Sequence, residues 1–526
     1  MYLTANCLEI PKELNKICWA GLEACGTVYT GPEWLTTAFH TGVRNAKDDG
    51  KKRCKKTGKS CPGYKDEATL VFRHWSNQQA SDTLPTLCWS SETDDKTLEE
   101  LSLCIFNSEF VVKTVNRRLS RGFLDGIQLL LKTTYSTSVL ACSAKILVLA
   151  SIGNRLGRQS LLIKTDKDYG NLLRKFHQSL SADMKYVSVE NLYTAILLGL
   201  YEIIVSHSAW PMQYMAHVRG VCAILSSPGS PFQLATGGHS FQLSSPLNLN
   251  NPLQNDVVVY SPIDDIRIRR LDVTLLKFQN FHQRAGMHLM QKSPTAEETS
   301  QLQKEALAID EEFTQWRESI SGNDPIYSRM TIASLDKSVA ELSGCAYSHS
   351  GPVDKYFDYF IAAVWNTHRK SQLMLLDIMA HLAGHSSAED AVLQFAQRAE
   401  NIIMEIIASI PYHLAHSIND YLKCVQSRTT AIPSNGVSSG LLLLYPLFES
   451  SKCKIVPHED RLYLTRCLLW IGEHMGIGQA SLLGKCVNRR MSEPHPLHDP
   501  QFPFQEVSEG NLLIWASMAL QPKLLN

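Results

Sequence analysis

The most distinctive chemistry in the sequence is a concentration of positive charge near its N-terminus. Nine lysines and arginines lie between Arg44 and Lys65, against two aspartates. Cys54 and Cys61 stand inside the same run. A charge run in isolation favours a solvated surface loop, and the other interpretation is a site that binds phosphate groups.

Spacings typical of enzyme sites are incomplete in the rest of the chain. Gly478 and Gly484, the latter followed by Lys485, are separated by five residues where a phosphate-binding loop has four, so we interpret them as a helix end. His381 and His385 would share one helix face, but no glutamate stands between them. A solvated helix end is therefore favoured there over a metal site.

One further acid and histidine lie close together in an apolar stretch. Glu202 and His207 precede Trp210, and residues of this kind are more often hydrogen-bonded at the edge of a core than paired in acid-base catalysis. Taken with the incomplete motifs, this pattern predicts that the protein is not an enzyme.

The composition is that of a globular protein. The 526 residues include 51 Lys and Arg against 51 Asp and Glu, 44% are hydrophobic, and the mean hydropathy is -0.13. These values exclude a disordered chain and a wholly basic nucleic-acid coat. The length fits three or four domains or one large helical array, so the number of domains stays open.

The cysteines and the apolar stretches indicate a reducing compartment, cytosol or nucleus. The 14 cysteines are irregularly spaced, and the N-terminus lacks the pattern of a secretion signal. The two most apolar stretches, Ser138–Gly153 and Leu192–Ser206, contain Lys145 and Glu202 respectively. We therefore expect no disulfide scaffold and no membrane-spanning segment.

Apolar residues beyond residue 93 recur at three- and four-residue steps, which predicts an all-α body. Asp94 and Asp166 are candidate helix starts. The stretch from Ser226 to Pro262 is rich in Ser, Pro, Gly and Asn and predicts a long loop. The predicted helical segments are Leu98–Phe106, Val139–Ile152, Leu192–Val205, Val273–Leu289, Tyr356–Leu382, Ala388–Ile410 and Leu462–Met475.

The segment KKRCKKTGKSCPGYKDEATLVFR, Lys51–Arg73, resembles the C-terminal half of the binuclear zinc cluster (Zn2Cys6) of fungal transcription factors. In that family six cysteines hold two zinc ions. The resemblance implies that Cys54 and Cys61 are the last two ligands, and that Pro62, Gly63 and Tyr64 form the exit turn. It also implies DNA contact by the neighbouring basic residues, Lys52, Arg53, Lys55, Lys56 and Lys59.

The segment departs from that family at its first half. Lys51 stands where the family has its fourth cysteine, and only Cys7, Cys18 and Cys25 lie upstream of Cys54. Zinc is the implied cofactor, but a full two-zinc cluster is not encoded. Either the module has degenerated or residues 1–50 derive from an incorrect gene model, and the sequence does not choose between them.

A second resemblance covers roughly residues 95–525 and is to the helical regulatory domain of the same family. It rests on LYTAILLGLYEII (Leu192–Ile204), on Trp210 followed by the helix start His217–Gly220, and on SSGLLLLYPLFES (Ser438–Ser450). Trp470–Gly476 is similar to one of the family's last core helices. The order of these pieces after the cysteine segment strengthens the resemblance.

Together the resemblances imply a nuclear fungal transcriptional regulator. The expected organisation is an unassigned segment 1–50, a zinc-cluster remnant 51–73, a linker 74–92, and a helical domain 93–526 with a loop at 226–262. Control of a secondary-metabolite gene cluster is implied, with DNA binding that is weak or depends on a partner. A small-molecule effector and a dimer with an intact regulator are further expected partners, and no membrane is expected.

The alternative interpretation is a helical scaffold or ligand-binding protein without DNA binding. It predicts that the basic run is solvated and that Cys54 and Cys61 stay free thiols.

Overall fold

A computed structural model gives the structure of the chain, which divides into two units, Met1–Cys88 and Trp89–Asn526. The predicted segments 1–50 and 51–73 lie outside the described residues, and the domain boundaries stay predictions. The structure describes residues 91–114, 116, 120–182, 189–206, 212–226, 233–234, 247–248, 258–259, 265–291, 295–320, 327–384, 389–428, 434–492, 510–518 and 521–522.

The described part of the second unit is mainly helical, which confirms the all-α fold class. Its helices are α1 Asp95–Glu109, α2 Ile127–Thr133, α3 Val139–Leu156, α4 Gln159–Ala182, α5 Val189–Val205, α6 Met212–Ser226, α7 Ile266–Leu289, α8 Ala296–Ser319, α9 Lys337–Leu342, α10 Tyr359–Gly384, α11 Glu389–Leu414, α12 Ile418–Gln426, α13 Val437–Lys452, α14 His458–His474, α15 Gly478–Ser492 and α16 Asn511–Ser517.

Short antiparallel strand pairs accompany the helices. The strands are β1 Gln233–Leu234, β2 Leu247–Asn248, β3 Val258–Val259, β4 Met330–Leu335, β5 Gly351–Lys355 and β6 Gln521–Pro522, and the pairs are β1–β2, β3–β6 and β4–β5. The β4–β5 pair is the longest of these, has an irregular register between Thr331 and Ala333, and packs on α11. Of the predicted loop at 226–262, the structure describes only the dipeptides of β1, β2 and β3 and the end of α6.

One predicted helix start is confirmed and the other is wrong. The side chain of Asp94 accepts a hydrogen bond from the backbone N–H of Thr97, so it caps α1. Asp166 instead lies inside α4, which begins at Gln159. Gly157 ends α3 with a φ of 62°, a left-handed conformation that glycine adopts freely, and the chain enters the next helix immediately after this turn.

The centre of the fold is built from helices that are apolar on nearly every side. Nearly all residues of α5 and α13 are buried, as expected for helices enclosed by other helices. Among the described residues, α3 is the helix long and apolar enough to cross a membrane, but 67% of the 18-residue window is buried inside the fold. It is therefore a core helix.

The apolar face predicted for α11 is the face that is buried. Ala399, Ile402, Ile403, Ile406 and Ile407 are buried, and the earlier members of the same row are half-buried. The second half of α11 is buried on further sides because α10 and α13 also pack on it. This enclosure brings polar side chains of α11 into the interior.

A tight junction joins α14 and α15 to α3. Gly476 has a φ of 70°, and a Cβ on it would lie 2.2 Å from the carbonyl oxygen of Ser151. Asn154 donates from Nδ2 to the carbonyl oxygens of Gly476 (3.1 Å) and Ile204 (2.7 Å). Helix α15 starts directly after this turn at Gly478, so the interpretation of that glycine as a helix end is confirmed, whereas Gly484 and Lys485 lie inside the helix.

Candidate functional site

The residues predicted to contact DNA or zinc all belong to the first unit. They are Lys52, Arg53, Cys54, Lys55, Lys56, Lys59 and Cys61, and they lie outside the residues that the structure describes. Zinc binding and DNA contact by these side chains therefore stay predictions.

The histidine pair interpreted above as a helix end is described in part. His381 lies near the end of α10, and its Nδ1 donates to the carbonyl oxygen of Asp377 at 2.7 Å. His385 lies outside the described residues. Within the described ranges, no group of three or more His, Cys, Asp or Glu side chains could hold a metal ion.

The pentapeptide Gly436–Gly440 has the Gly-x-Ser-x-Gly spacing of hydrolase nucleophile elbows, a match that sequence reasoning missed. A functional elbow presents an exposed serine between a sheet strand and a helix. Here Gly436 is the N-cap of α13, no strand of a named pair precedes it, and Ser438 is only 2% exposed. The arrangement is a buried helix start and not a nucleophile elbow.

Three polar side chains meet between α4, α5 and α6 and form the tyrosine cluster, Tyr169, Glu202 and His217. The hydroxyl of Tyr169 lies 2.7 Å from Nε2 of His217 and also hydrogen-bonds Glu202. Glu202 is 6% exposed and His217 is 9% exposed. Glu202 is therefore a hydrogen-bonded residue of the core, as predicted, although its partner is Tyr169; His207 lies outside the described residues.

Burial sets the charge state of the tyrosine cluster. It raises the pKa of Glu202 to about 7, an effect that the Tyr169 hydrogen bond partly opposes and nearby Asp166 increases. Burial also lowers the pKa of His217 to about 4. At neutral pH His217 is thus uncharged, and Glu202 is divided between its neutral and charged forms.

A second polar group, the arginine cluster, lies where α8, α10, α11 and the β4–β5 pair meet. It consists of Arg317, Arg329, Arg369, Asp354 and Glu405. Nε of Arg369 donates to Glu405 at 3.1 Å, Nη2 of Arg329 lies 3.0 Å from the same carboxylate, and Arg317 also donates to it. Arg329 reaches Asp354 as well, at 3.7 Å.

Neutral side chains hold the arginine cluster in place. Nη1 of Arg369 donates to the hydroxyl of Tyr356 at 2.8 Å and to Oδ1 of Asn366 at 3.0 Å. Asn366 is itself hydrogen-bonded to Ser409, and all of these side chains are buried. Such a network fixes side-chain positions as well as charge.

The carboxylate of Glu405 is ionised in this setting. Burial alone would raise its pKa, but Arg369, Arg329 and Arg317 together outweigh burial and lower the pKa below its usual value. Guanidinium groups bind carboxylates through paired, parallel N–H donors. The arrangement is therefore suited to holding carboxylates.

A curated fungal protein is similar to most of this chain. Transcription factor dbaG of Emericella nidulans is 30% identical to it over 432 residues, which is 81% of this chain and 97% of the relative. The chain belongs to this family of fungal transcription factors. Because only residues 1–88 precede the helical unit, most of the matched residues lie within that unit.

Membership in this transcription factor family confirms the resemblance to a fungal transcriptional regulator. It leaves the zinc cluster a prediction. No family model matches the chain, and no solved structure matches it. The motif from His217 to Gly220 lies in the second turn of α6 and beyond, not at a helix start as the resemblance implied.

Sequence reasoning about this family member missed both polar clusters, although a signal for them exists. Glu202 and Glu405 are each a charged residue set among buried apolar neighbours on a helix, and charged residues are buried only when they are paired or neutralised. That signal marks a residue with an internal partner. It does not identify the partner, which lies 36 residues away along the chain for Arg369 and Glu405.

Proposed function

We propose that this chain is a nuclear transcriptional regulator of a secondary-metabolite gene cluster, with DNA binding that is weak or depends on a partner protein. Its helical unit would receive an effector or a partner, and the basic run of the first unit would contact DNA. The observation that carries the proposal is the transcription factor relative, which is similar over almost its whole length.

The expected weakness of DNA binding follows from the cysteine count. A binuclear cluster needs six thiolates, and Cys54 is preceded by only Cys7, Cys18 and Cys25. Without the first half of the module there is no recognition helix to read base edges, so the lysines and arginines near Cys54 would supply mainly phosphate contacts. Affinity of this kind falls steeply with salt and depends little on sequence.

DNA binding of the full chain tests the proposal. Fluorescence anisotropy with a labelled duplex, measured over a salt series, should give a Kd that rises with salt and changes little between DNA sequences. The test variant replaces by glutamine the five predicted contact residues, Lys52, Arg53, Lys55, Lys56 and Lys59. It should weaken binding and flatten the salt dependence by roughly one unit of slope for each phosphate group that the variant no longer neutralises.

A matched variant separates local contact from loss of total charge. It replaces by glutamine five exposed lysines of the helical unit, Lys96, Lys113, Lys304, Lys337 and Lys423. We expect DNA affinity close to that of the unmodified chain. Equal losses in both variants, or no DNA binding by the unmodified chain at low salt, would instead favour the scaffold or ligand-binding alternative.

Zinc analysis of the purified chain tests the state of the first unit independently. A degenerate module predicts no bound zinc, so replacement of Cys54 and Cys61 by serine should leave the zinc content unchanged. Two zinc ions per chain, lost in that variant, would show that the count of ligands is incomplete. We further propose that the protein is not an enzyme, which the transcription factor relative supports.

A further inference from the structure

The arginine cluster contains more cationic than anionic groups. Three guanidinium groups, those of Arg317, Arg329 and Arg369, meet two carboxylates, those of Glu405 and Asp354. Charge in a protein interior is costly unless it is paired, so a surplus cation favours the binding of an anion.

Arg369 is the most buried member of the cluster, with a side-chain exposure of 0%. Its Nε and Nη1 donate to Glu405, Tyr356 and Asn366, but none of the described residues accepts a hydrogen bond from its Nη2. The rings of Tyr356 and Trp365 lie 5.7 and 5.1 Å from the guanidinium carbon and stabilise its charge. Neither ring supplies an acceptor for the remaining N–H groups of Nη2.

The other two arginines reach the surface. The side chain of Arg317 is 39% exposed and that of Arg329 is 35% exposed, while both contact the buried carboxylate of Glu405. Each guanidinium has five N–H donors, more than Glu405 alone can accept. The cluster thus runs from solvent at Arg317 and Arg329 to the interior at Arg369.

Aromatic side chains lie beside this path. The rings of Trp316 and Trp365 pack edge to face at 5.3 Å, and Trp316 also stacks on His368 at 4.6 Å. Trp316 directly precedes Arg317 on α8, and Trp365 contacts Arg369. Both indole rings are buried, Trp316 being 2% and Trp365 6% exposed, so they enclose the inner end of the cluster and present no surface at its solvent-facing arginines.

We propose that the arginine cluster binds a small carboxylate, held by the guanidinium groups of Arg317 and Arg329. The carboxylate class follows from the planar, forked donors of arginine, which match a carboxylate in geometry and charge. This inference deepens the proposed function, since such a ligand would be the effector of the regulator.

Benzoate and benzamide form the test pair because they have the same shape and differ in charge. Binding to the full chain is measured by calorimetry and by thermal unfolding, at constant ionic strength. We expect benzoate to bind and to raise the Tm, and benzamide to do neither. If benzoate binds no better than benzamide, the proposal is wrong; this comparison uses the unmodified chain and does not depend on any variant folding.

Variants locate the binding site. Arg317→Gln and Arg329→Gln should each weaken benzoate binding by about tenfold or more, because each loses a charge-assisted pair of hydrogen bonds. Arg398→Gln is the matched control: its side chain is also 39% exposed, and it pairs with Asp310 at 2.7 and 2.8 Å, outside the cluster. Equal losses in all three variants would overturn the assignment to the arginine cluster.

Failure of this inference and failure of the proposed function are distinguishable. Benzoate binding is measured without DNA, so a negative result leaves the DNA-binding measurement untouched. If the unmodified chain binds benzoate but does not bind DNA, the ligand site is supported and the proposed role in transcription is wrong.

Discussion

The arginine cluster and the tyrosine cluster each bury a carboxylate in a helical core, but the two carboxylates have opposite charge preferences. Burial acts to raise the pKa of both Glu405 and Glu202. At Glu405 three arginines outweigh burial and keep the carboxylate ionised. At Glu202 the neighbours are the neutral side chain of Tyr169 and the acid Asp166, so the pKa rises to about 7.

The difference shows that neighbouring charges, and not burial alone, decide whether a buried carboxylate is ionised at neutral pH. Glu405 is a fixed anion that joins α11 to α8, α10 and the segment before β4. Glu202 is an acid that changes its proton occupancy near neutral pH inside a region with little countercharge. Mutations at the two sites should therefore differ in size, in sign and in pH dependence.

The largest effect is expected from Glu405→Gln. The substitution keeps the size of the side chain but leaves Arg317, Arg329 and Arg369 without their shared anion, and breaking a buried ion pair costs about 3–5 kcal/mol. Urea unfolding at neutral pH should show this loss. Glu400→Gln, at an exposed position of the same helix, should change stability by less than about 0.5 kcal/mol.

A loss below about 1 kcal/mol for Glu405→Gln would contradict the ion-pair account. It would show that solvent or Asp354 compensates the three arginines, and the contrast with Glu202 would then disappear.

Much of the architecture follows from local patterns in the sequence, because helix faces are encoded by residues three and four apart. The row from Ala399 to Ile407 predicts the buried face of α11, and Asp94 predicts the start of α1. Asp166 was wrongly predicted as a helix start because the turn at Gly157 already begins the helix upstream of it. The β4–β5 pair is too short for its alternation to stand out from the helical background.

The polar clusters could not be predicted in the same way, since their members come together only in the folded chain. Arg317 and Glu405 are 88 positions apart, and Tyr169 and His217 are 48 apart. No local pattern in the sequence pairs Glu202 with Tyr169, because the two residues lie on different helices.

The next largest effect is expected from Glu202→Gln, with the opposite sign. The folded pKa of about 7 lies above the ordinary value of 4.5, so the folded state retains a proton that the unfolded chain releases. Stability is therefore lost as the pH rises from about 4.5 through 7. A glutamine remains neutral, so the variant should be more stable than the unmodified chain at pH 8, by about 3 kcal/mol at most.

Urea unfolding at pH 5 and pH 8 measures this difference. The variant and the unmodified chain should have similar stability at pH 5 and diverge at pH 8. Glu297→Gln, at an exposed position of α8, is the control and should show no such divergence. A stabilisation by Glu202→Gln that is equal at both pH values would indicate a packing effect and not a proton.

Tyr169→Phe tests the hydrogen bonds of the same cluster and should cost about 1–3 kcal/mol, because buried groups of Glu202 and His217 lose a partner. The Tyr169 hydrogen bond lowers the pKa of Glu202, so its removal should raise that pKa. Stability should then decline at a higher pH. Stability measured between pH 5 and pH 9 checks both statements. An unchanged profile would mean that Tyr169 does not interact with Glu202 in solution.

The smallest effect is expected from Arg317→Gln, at about 1 kcal/mol or less, although it breaks an ion pair with the same carboxylate as the first prediction. Arg317 is partly exposed, so water can take its place beside Glu405, while Arg369 and Arg329 still neutralise that carboxylate. The loss of stability should shrink further in 1 M salt, where charges near the surface are screened. If Arg317→Gln instead destabilises as much as Glu405→Gln, Arg317 and not Arg369 keeps Glu405 ionised. Arg317 would then be a structural partner of Glu405 and would not be available to bind a ligand.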